Sequence, residues 1–146
     1  MRKRLIIGMS GASGAPLTIE LLKQLQQYKE IIETHLIVTK GAEMTLKQLY
    51  ALADEVHDNY NIGAGPASGS YRTMGMIVIP CSMKTLAGIV SGYSDNLVLR
   101  AADITLKERR KKISLPENGL SRYGNLSNNR CLCWQEYIMI IWKRNS

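Results

Sequence analysis

Three short apolar runs, at 5–9, 35–39 and 76–80, constrain the fold of this chain more than any other feature. Two of them lead directly into small or hydroxylated residues and then into a helical pattern. A continuous apolar run of this length suits a strand buried on both faces of a parallel sheet. The first run is followed by Ser10-Gly11-Ala12-Ser13-Gly14-Ala15, a tight loop, and by Pro16, which fits the first turn of a helix. Leu17, Leu21, Leu22 and Leu25 then supply one apolar face, extending to about Tyr28. Strand, loop and helix open a βαβ unit, and the run at 35–39 is its returning parallel neighbour. A second helix is expected over 42–56 and a flexible loop over 59–70, where Gly63, Ala64, Gly65 and Ala67 cluster. The third strand, 76–80, is expected to end at its proline, with Cys81 to Thr85 opening a helix through Leu86 to Val90. A long helix is expected over 95–112, apolar at Leu97, Ala101, Ile104 and Leu106, with the cations of 107–112 at its C-terminal end. The pattern predicts a three-layer α/β fold with a mainly parallel sheet.

Length and composition narrow the function classes. One hundred and forty-six residues, 45% hydrophobic and 21% charged, suit one globular domain. Nineteen Lys and Arg against 12 Asp and Glu give +7. Residues 1–100 hold 10 basic and 8 acidic side chains and 101–146 hold 9 and 4, so the excess is concentrated in the last third. That stretch carries no nucleic-acid reading motif, and no nucleic-acid partner is expected. Cys81, Cys131 and Cys133 are too few and too unevenly spaced for a disulfide framework. Cys131 and Cys133 have no second ligand pair after them, and His35 and His57 lie far upstream, so no metal is expected. The basic start at 2–4 imitates an export signal, but the apolar stretch after it is shorter than the roughly 7–15 residues export needs. No segment reaches the roughly 18 apolar residues of a membrane span. A cytoplasmic chain without membrane contact is the expectation.

The loops after the first and third runs are the candidate functional residues. Gly8, Gly11 and Gly14 have G-x-x-G-x-x-G spacing, which lets backbone approach a phosphate, and Ser10 and Ser13 add hydroxyl donors. The same residues also suit plain close packing of strand against helix. The spacing is not the G-x-G-x-x-G of dinucleotide sites, and the second run ends in Thr39-Lys40 rather than in an acid for ribose. No Gly-Lys-Ser/Thr follows, which excludes a Walker loop. A mononucleotide such as FMN suits the loop better. Ser82, Lys84 and Thr85 put two hydroxyls and an ammonium at a helix start, although Ser82 also reads as a simple N-cap.

Several stretches together resemble the UbiX-type flavin prenyltransferases. They are residues 8–15, 33–40, 67–71, the Pro80-Cys81-Ser82-Met83-Lys84-Thr85 segment within 75–87, and the Arg100-Ala101-Ala102-Asp103 stretch continuing through Leu106-Lys107-Glu108-Arg109-Arg110. The resemblance spans most of 3–112. It implies a flavodoxin-like or Rossmann-like subunit, usually a homo-oligomer (trimer or dodecamer), that binds FMN without a metal. It also implies joining a dimethylallyl group from dimethylallyl phosphate to flavin N5 and then C6. The prenylated FMN then serves a partner UbiD-type decarboxylase acting on aromatic and unsaturated acids. Carried over residue by residue, Gly11, Ala12 and Ser13 hold FMN, with Ser13 also near the reacting centre. Thr39 takes the hydroxyl position at the end of the second strand, and Ser82, Met83, Lys84 and Thr85 form the second FMN contact. Arg100 and Lys107 fall on basic positions near the prenyl phosphate. Without the resemblance, these two read as a solvated helix face.

The match changes in two places. Around 47–49 the chain is shorter than the family pattern, which has an acidic residue and more helix there. Beyond Lys112 the family continues with a buried strand and an Arg-Glu-Thr-Pro-Leu motif, then a tyrosine and an arginine that hold the prenyl phosphate across a subunit boundary. Here the chain reads Ile113-Ser114-Leu115-Pro116-Glu117-Asn118-Gly119-Leu120, in which Glu117 echoes the motif's glutamate and the arginine is absent. The expectation is therefore a family domain over 1–112 followed by an atypical segment over 113–146, frame-shifted or disordered, that leaves the fold incomplete at its C-terminus. The alternative to a prenyltransferase is a non-catalytic FMN-binding or assembly subunit.

Overall fold

The computed structural model describes residues 1–11, 15–39 and 46–116, with Leu115 and Pro116 described by backbone alone. Five strands form one parallel sheet: β1 (Lys3–Met9), β2 (Ile32–Val38), β3 (Glu55–Asp58), β4 (Gly75–Cys81) and β5 (Lys111–Pro116), in the order β3-β2-β1-β4-β5. Alternation along β1 sends Ile6 to one face and Leu5, Ile7 and Met9 to the other, so each face builds its own core. On the first face, α3 (Met83–Ser91) and α4 (Leu97–Lys107) bring Leu86, Ile89, Leu97 and Val98 against Ile6, Ile37, Met76 and Val78. On the second, α1 (Ala15–Leu25) and α2 (Leu46–Leu52) bring Leu22 and Leu49 against Ile7, Met9, Leu36 and Ile79. The three-layer α/β fold read from the strand–loop–helix pattern is the fold observed.

Several local expectations are corrected. The helix expected over 42–56 ends at Leu52, and Val56 lies in β3. Residues 40–45, including the expected start, lie outside the described residues. The helix gives way because Asp54 is held elsewhere: its carboxylate accepts from the Thr34 N–H at 2.8 Å and from the Thr34 hydroxyl at 2.9 Å, and pairs with Arg2 at 2.8 Å. The chain then extends alongside β2, with His35 opposite Glu55 and Ile37 opposite His57. The helix expected over 95–112 also stops early, at Lys107. Arg109 adopts a left-handed φ of 55°, and the Arg110 guanidinium donates to the carbonyls of Gly69 at 2.7 Å and Tyr71 at 2.8 Å. Lys111 and Lys112 belong to β5, so only Lys107 of that cationic run occupies the helix's last turn.

In α1 the buried residues are Ala15, Thr18 and Leu22, while Leu17 is exposed; the Thr18 hydroxyl donates to the Ile79 carbonyl at 2.7 Å. Pro80 does not end its strand. β4 continues to Cys81, with a register irregularity between Val78 and Cys81 that accommodates the missing N–H. The loop expected over 59–70 is built rather than loose: the Asn59 side chain accepts from the Val98 N–H at 3.0 Å, its carbonyl accepts from the Leu97 N–H at 2.8 Å, and Gly65–Ala67 forms a 3-10 turn. The regular sheet runs past Lys112 to Pro116.

Asp54 sets an acid sensitivity. Burial pushes its carboxyl pKa up, but the bonds from Thr34 and Arg2 outweigh burial and hold it below the ordinary carboxylate value. A pKa lowered by folding contributes stability that is complete above the unfolded value, near 3.9, and is lost as pH falls through the folded one. Asp54→Asn is expected to cost about 1–2 kcal/mol at neutral pH and to flatten the loss of urea-melting midpoint below pH 4. An unchanged midpoint at both pH values would contradict this role.

Candidate functional site

The strand order reverses between β1 and β4, because the chain winds outward to β3 and then returns to the other side of β1. At such a reversal the loops leaving the carboxyl ends of the strands diverge and leave a ligand crevice. Here those loops begin at Ser10 and Ser82, and one buried side chain ties them together. The Ser10 N–H donates to the Pro80 carbonyl at 3.0 Å and its hydroxyl donates to the same oxygen at 3.3 Å. The Ser10 hydroxyl also accepts from the Ser82 N–H at 3.0 Å, and the residue is only 2% exposed. Sequence reading offers Ser10 as a donor to a ligand; the structure uses it to fix the crevice walls.

The glycine pattern divides into separate roles. A Cβ at Gly8 would lie 3.0 Å from Met76 Cε and 3.4 Å from Val98 Cγ1, so this glycine leaves room for the Met76 side chain of β4 and for α4 beyond it. Gly11 follows the strand with φ of 101°, a conformation that favours glycine, and turns the chain at the mouth of the crevice. Ala12, Ser13 and Gly14 lie outside the described residues, as does Glu117.

Ser82 is the N-cap of α3. Its hydroxyl oxygen accepts from the Thr85 N–H at 3.2 Å and its proton is donated to Thr85 Oγ1 at 3.0 Å. The N–H groups of Met83 and Lys84 have no carbonyl partner within a first helical turn, and the helix dipole adds partial positive charge there. Both side chains are exposed, whereas Thr85 is buried. Thr39 joins the same edge, its N–H donating to the Met9 carbonyl at 2.9 Å. Gly11, Thr39, Ser82, Met83, Lys84 and Thr85 therefore share the carboxyl edge of the sheet, an arrangement able to hold an anionic, hydrogen-bonding ligand.

Arg100 and Lys107 divide between the two edges. α4 begins at the carboxyl edge, since Leu97 bonds to Asn59, the residue after β3, and exposed Arg100 stands in its first turn. Lys107 ends the helix roughly 10 Å beyond Arg100 along the axis. There Arg110 grips Gly69 and Tyr71, near the starting end of β4. Within one subunit Lys107 is not brought to the loops.

Sequence reading missed two structural roles and a cluster. Ser10 was legible as a hydroxyl donor to a ligand but not as a tie between loops, and the capping role of Asn59 depends on β3 ending beside α4. His35 and His57 are 22 residues apart and meet only because β2 and β3 pair.

A flavoprotein family profile matches residues 1–130. A flavin prenyltransferase UbiX from Neisseria meningitidis serogroup B is 46% identical over 136 residues, covering 88% of this chain and 71% of its own length. The chain belongs to the UbiX family of flavoproteins. Its UbiX fold superposes on a dodecameric FMN-dependent UbiX-like decarboxylase from Escherichia coli O157:H7 with a TM-score of 0.75 and 49% identity, covering 82% of this chain and 69% of that one. A UbiX protein solved in complex with FMN and dimethylallyl pyrophosphate matches with a TM-score of 0.76 and 45% identity, covering 84% of this chain and 69% of that one. This UbiX-family chain spans 71% of the length of the Neisseria protein and 60% of that of a probable UbiX-like flavin prenyltransferase from Streptomyces sp. (strain D7).

Proposed function

We propose that this chain is the FMN-binding portion of a flavin prenyltransferase that transfers a dimethylallyl group from dimethylallyl phosphate to FMN. The observation that carries the reading is the Ser10 tie, which holds two hydroxyl-bearing loops together at the switch point of the sheet. FMN fits this edge. Gly11 turns there without a side chain, the first turn of α3 offers N–H donors, and Thr39, Thr85 and Lys84 add two hydroxyls and a cation. The similar UbiX structure that contains FMN and dimethylallyl pyrophosphate supports both ligands.

Bound there, FMN supplies the ring that receives the dimethylallyl group. Gly11, Ala12, Ser13, Thr39 and the 82–85 turn hold the nucleotide. Arg100 and Lys107 balance the phosphate as it leaves, while Ser13 and Glu117 manage its protons. Because Lys107 stands at the opposite edge of its own sheet, a second copy must supply it, so the enzyme is a homo-oligomer whose site spans subunits. The dodecameric relative supports that assembly. Prenylated FMN would pass to a UbiD-type decarboxylase. No helix among the described residues is long and apolar enough to cross a membrane, and a cytoplasmic location belongs to the same proposal. The second reading, an FMN-binding or assembly subunit without transfer, draws on the separation of Lys107 from the loops.

The purified chain is expected to take up about one FMN per subunit. Ser10→Ala leaves the Ser82 N–H without its acceptor, at a cost of about 1–3 kcal/mol in stability, and is expected to weaken FMN binding about tenfold or more. A folded wild-type chain that takes up no FMN would overturn the proposal, and a Ser10→Ala protein with unaltered affinity would remove the tie from it.

A further inference from the structure

Away from the crevice, β2 and β3 join two imidazoles on the face of the sheet that carries Ile37. His35 is fully buried and His57 nearly so, whereas Glu55 is half-exposed at the sheet edge. The ring planes are 16° apart and the centroids 5.3 Å apart, with His35 Nδ1 3.0 Å from His57 Nε2. That contact plus two ring radii accounts for the centroid separation, so the rings meet edge to edge through one hydrogen bond. Proton accounting fixes its direction in the neutral pair. Glu33 accepts the Nε2–H of His35 at 2.8 Å, which leaves a lone pair at Nδ1 to accept from His57 Nε2–H. Two further titratable groups meet the pair. Glu55 places one oxygen 3.4 Å from His35 Nδ1 and the other 3.6 Å from His57 Nε2, and the Tyr71 hydroxyl lies 3.0 Å from His35 Nδ1. Behind them, Arg4 of β1 lies over the Tyr71 ring at 4.3 Å and 3.8 Å from Glu33, and Arg2 is 3.5 Å from Glu33.

We propose that this imidazole pair is an acid-operated latch, which closes the β3 edge strand onto β2 while the pair carries at most one extra proton and releases it when a second arrives. A first extra proton has a place. It enters on His57 Nδ1, leaves the inner hydrogen bond intact, and sets one positive charge between the Glu33 and Glu55 carboxylates. A second has none, because it must enter between the rings, where His35 Nδ1–H would face His57 Nε2–H across 3.0 Å. Two imidazoliums would then touch. The direction of the His57 pKa agrees: burial, the largest cause, holds it below the ordinary histidine value, Glu55 opposes this, and His35 lowers it again. Burial pushes the Tyr71 phenol up, so it stays neutral throughout. A histidine pKa lowered by folding contributes stability that is complete above the unfolded value, near 6.5, and is lost as pH falls through the folded one. The strand that depends on the pair is short. β3 has four residues at the end of the described sheet and runs directly into Asn59, whose carbonyl and side chain hold the Leu97 and Val98 N–H groups. Release of β3 therefore reaches the first turn of α4.

Amide hydrogen exchange of the full chain, followed by peptide mass and corrected for the intrinsic pH dependence of exchange, tests the latch. It is read at about pH 7.5 and 5.5, a window above ordinary carboxylate pKa values. Because the open edge binds one proton more than the closed one, its opening constant is expected to rise by up to about tenfold per pH unit below about 6.5. Protection should fall in peptides spanning 55–58 and 97–98 while β1 keeps its own. His57→Gln, whose side-chain amide can still donate to His35 Nδ1 but does not titrate, is expected to remove the dependence. Protection of β3 that does not change with pH, a loss shared equally by β1, or the wild-type slope in His57→Gln would each overturn the latch. Should His57→Gln leave the edge open at the higher pH as well, ring-nitrogen NMR of the wild-type chain decides. A second protonation step coincident with the loss of protection upholds the latch, and either one occurring without the other overturns it.

Discussion

Gly75→Ala is expected to destabilise the chain by about 3 kcal/mol or more, enough to lower its urea midpoint sharply or leave it insoluble. A Cβ at Gly75 would stand 2.5 Å from the Lys111 carbonyl oxygen and 3.3 Å from its carbon, with the glycine at φ of 156°. The obstacle is backbone. A flexible side chain in that place would rotate away, but Lys111 opens β5 and is paired with Gly75 in the ladder, so relief requires separating β5 from β4. The core of the α4 face rests on the β4 residues Met76 and Val78, and disturbance of the strand's first residue propagates into it. Loss of less than about 1 kcal/mol in an equilibrium urea melt would show that the edge yields without loss of packing.

Lys107→Ala is expected to lower kcat/KM for prenyl transfer by about 10²–10³-fold while FMN affinity stays within about twofold. The asymmetry follows from geometry. Lys107 closes α4 at the edge where Arg110 holds Gly69 and Tyr71, remote from Ser10 and Ser82 of the same subunit. It therefore stands apart from its own subunit's nucleotide loops, and under the proposed function it serves the phosphate bound by another copy. Mixing gives a sharper form of the test. Gly11→Val, whose β-branched residue resists a φ of 101°, removes the FMN loop and leaves Lys107 in place. Oligomers formed from Lys107→Ala and Gly11→Val subunits are expected to recover activity that neither variant has alone. No recovery, in oligomers shown by mass to be mixed, would contradict a site shared between copies.

The parts of the fold legible in the sequence are those where local pattern and tertiary environment agree. The run at 5–9 is apolar throughout because both faces of β1 are covered, and Ser82 is an N-cap by residue type and by geometry. The failures occur where a distant partner decides. Residues 42–56 read as helix until Thr34 and Arg2 claim Asp54, and 95–112 read as helix until Arg110 finds the Gly69 and Tyr71 carbonyls. The parallel pairing of β1 with β2 was legible, but the places of β3, β4 and β5 were not, for the same reason. Consequently the candidate residues could be named from motifs, but not sorted into those that meet within one subunit and those that do not. Ser10 shows the limit most clearly: its hydroxyl reads as a ligand donor in isolation and proves to be the tie between two loops 72 residues apart.

The proposed function requires that the crevice between β1 and β4 receive FMN for modification. The most direct measurement is the mass of the flavin recovered after the chain is incubated with reduced FMN and dimethylallyl phosphate. The proposed transfer predicts FMN enlarged by one five-carbon unit, with formation abolished in Gly11→Val. Flavin recovered at its original mass from a folded, FMN-loaded wild-type chain would contradict it.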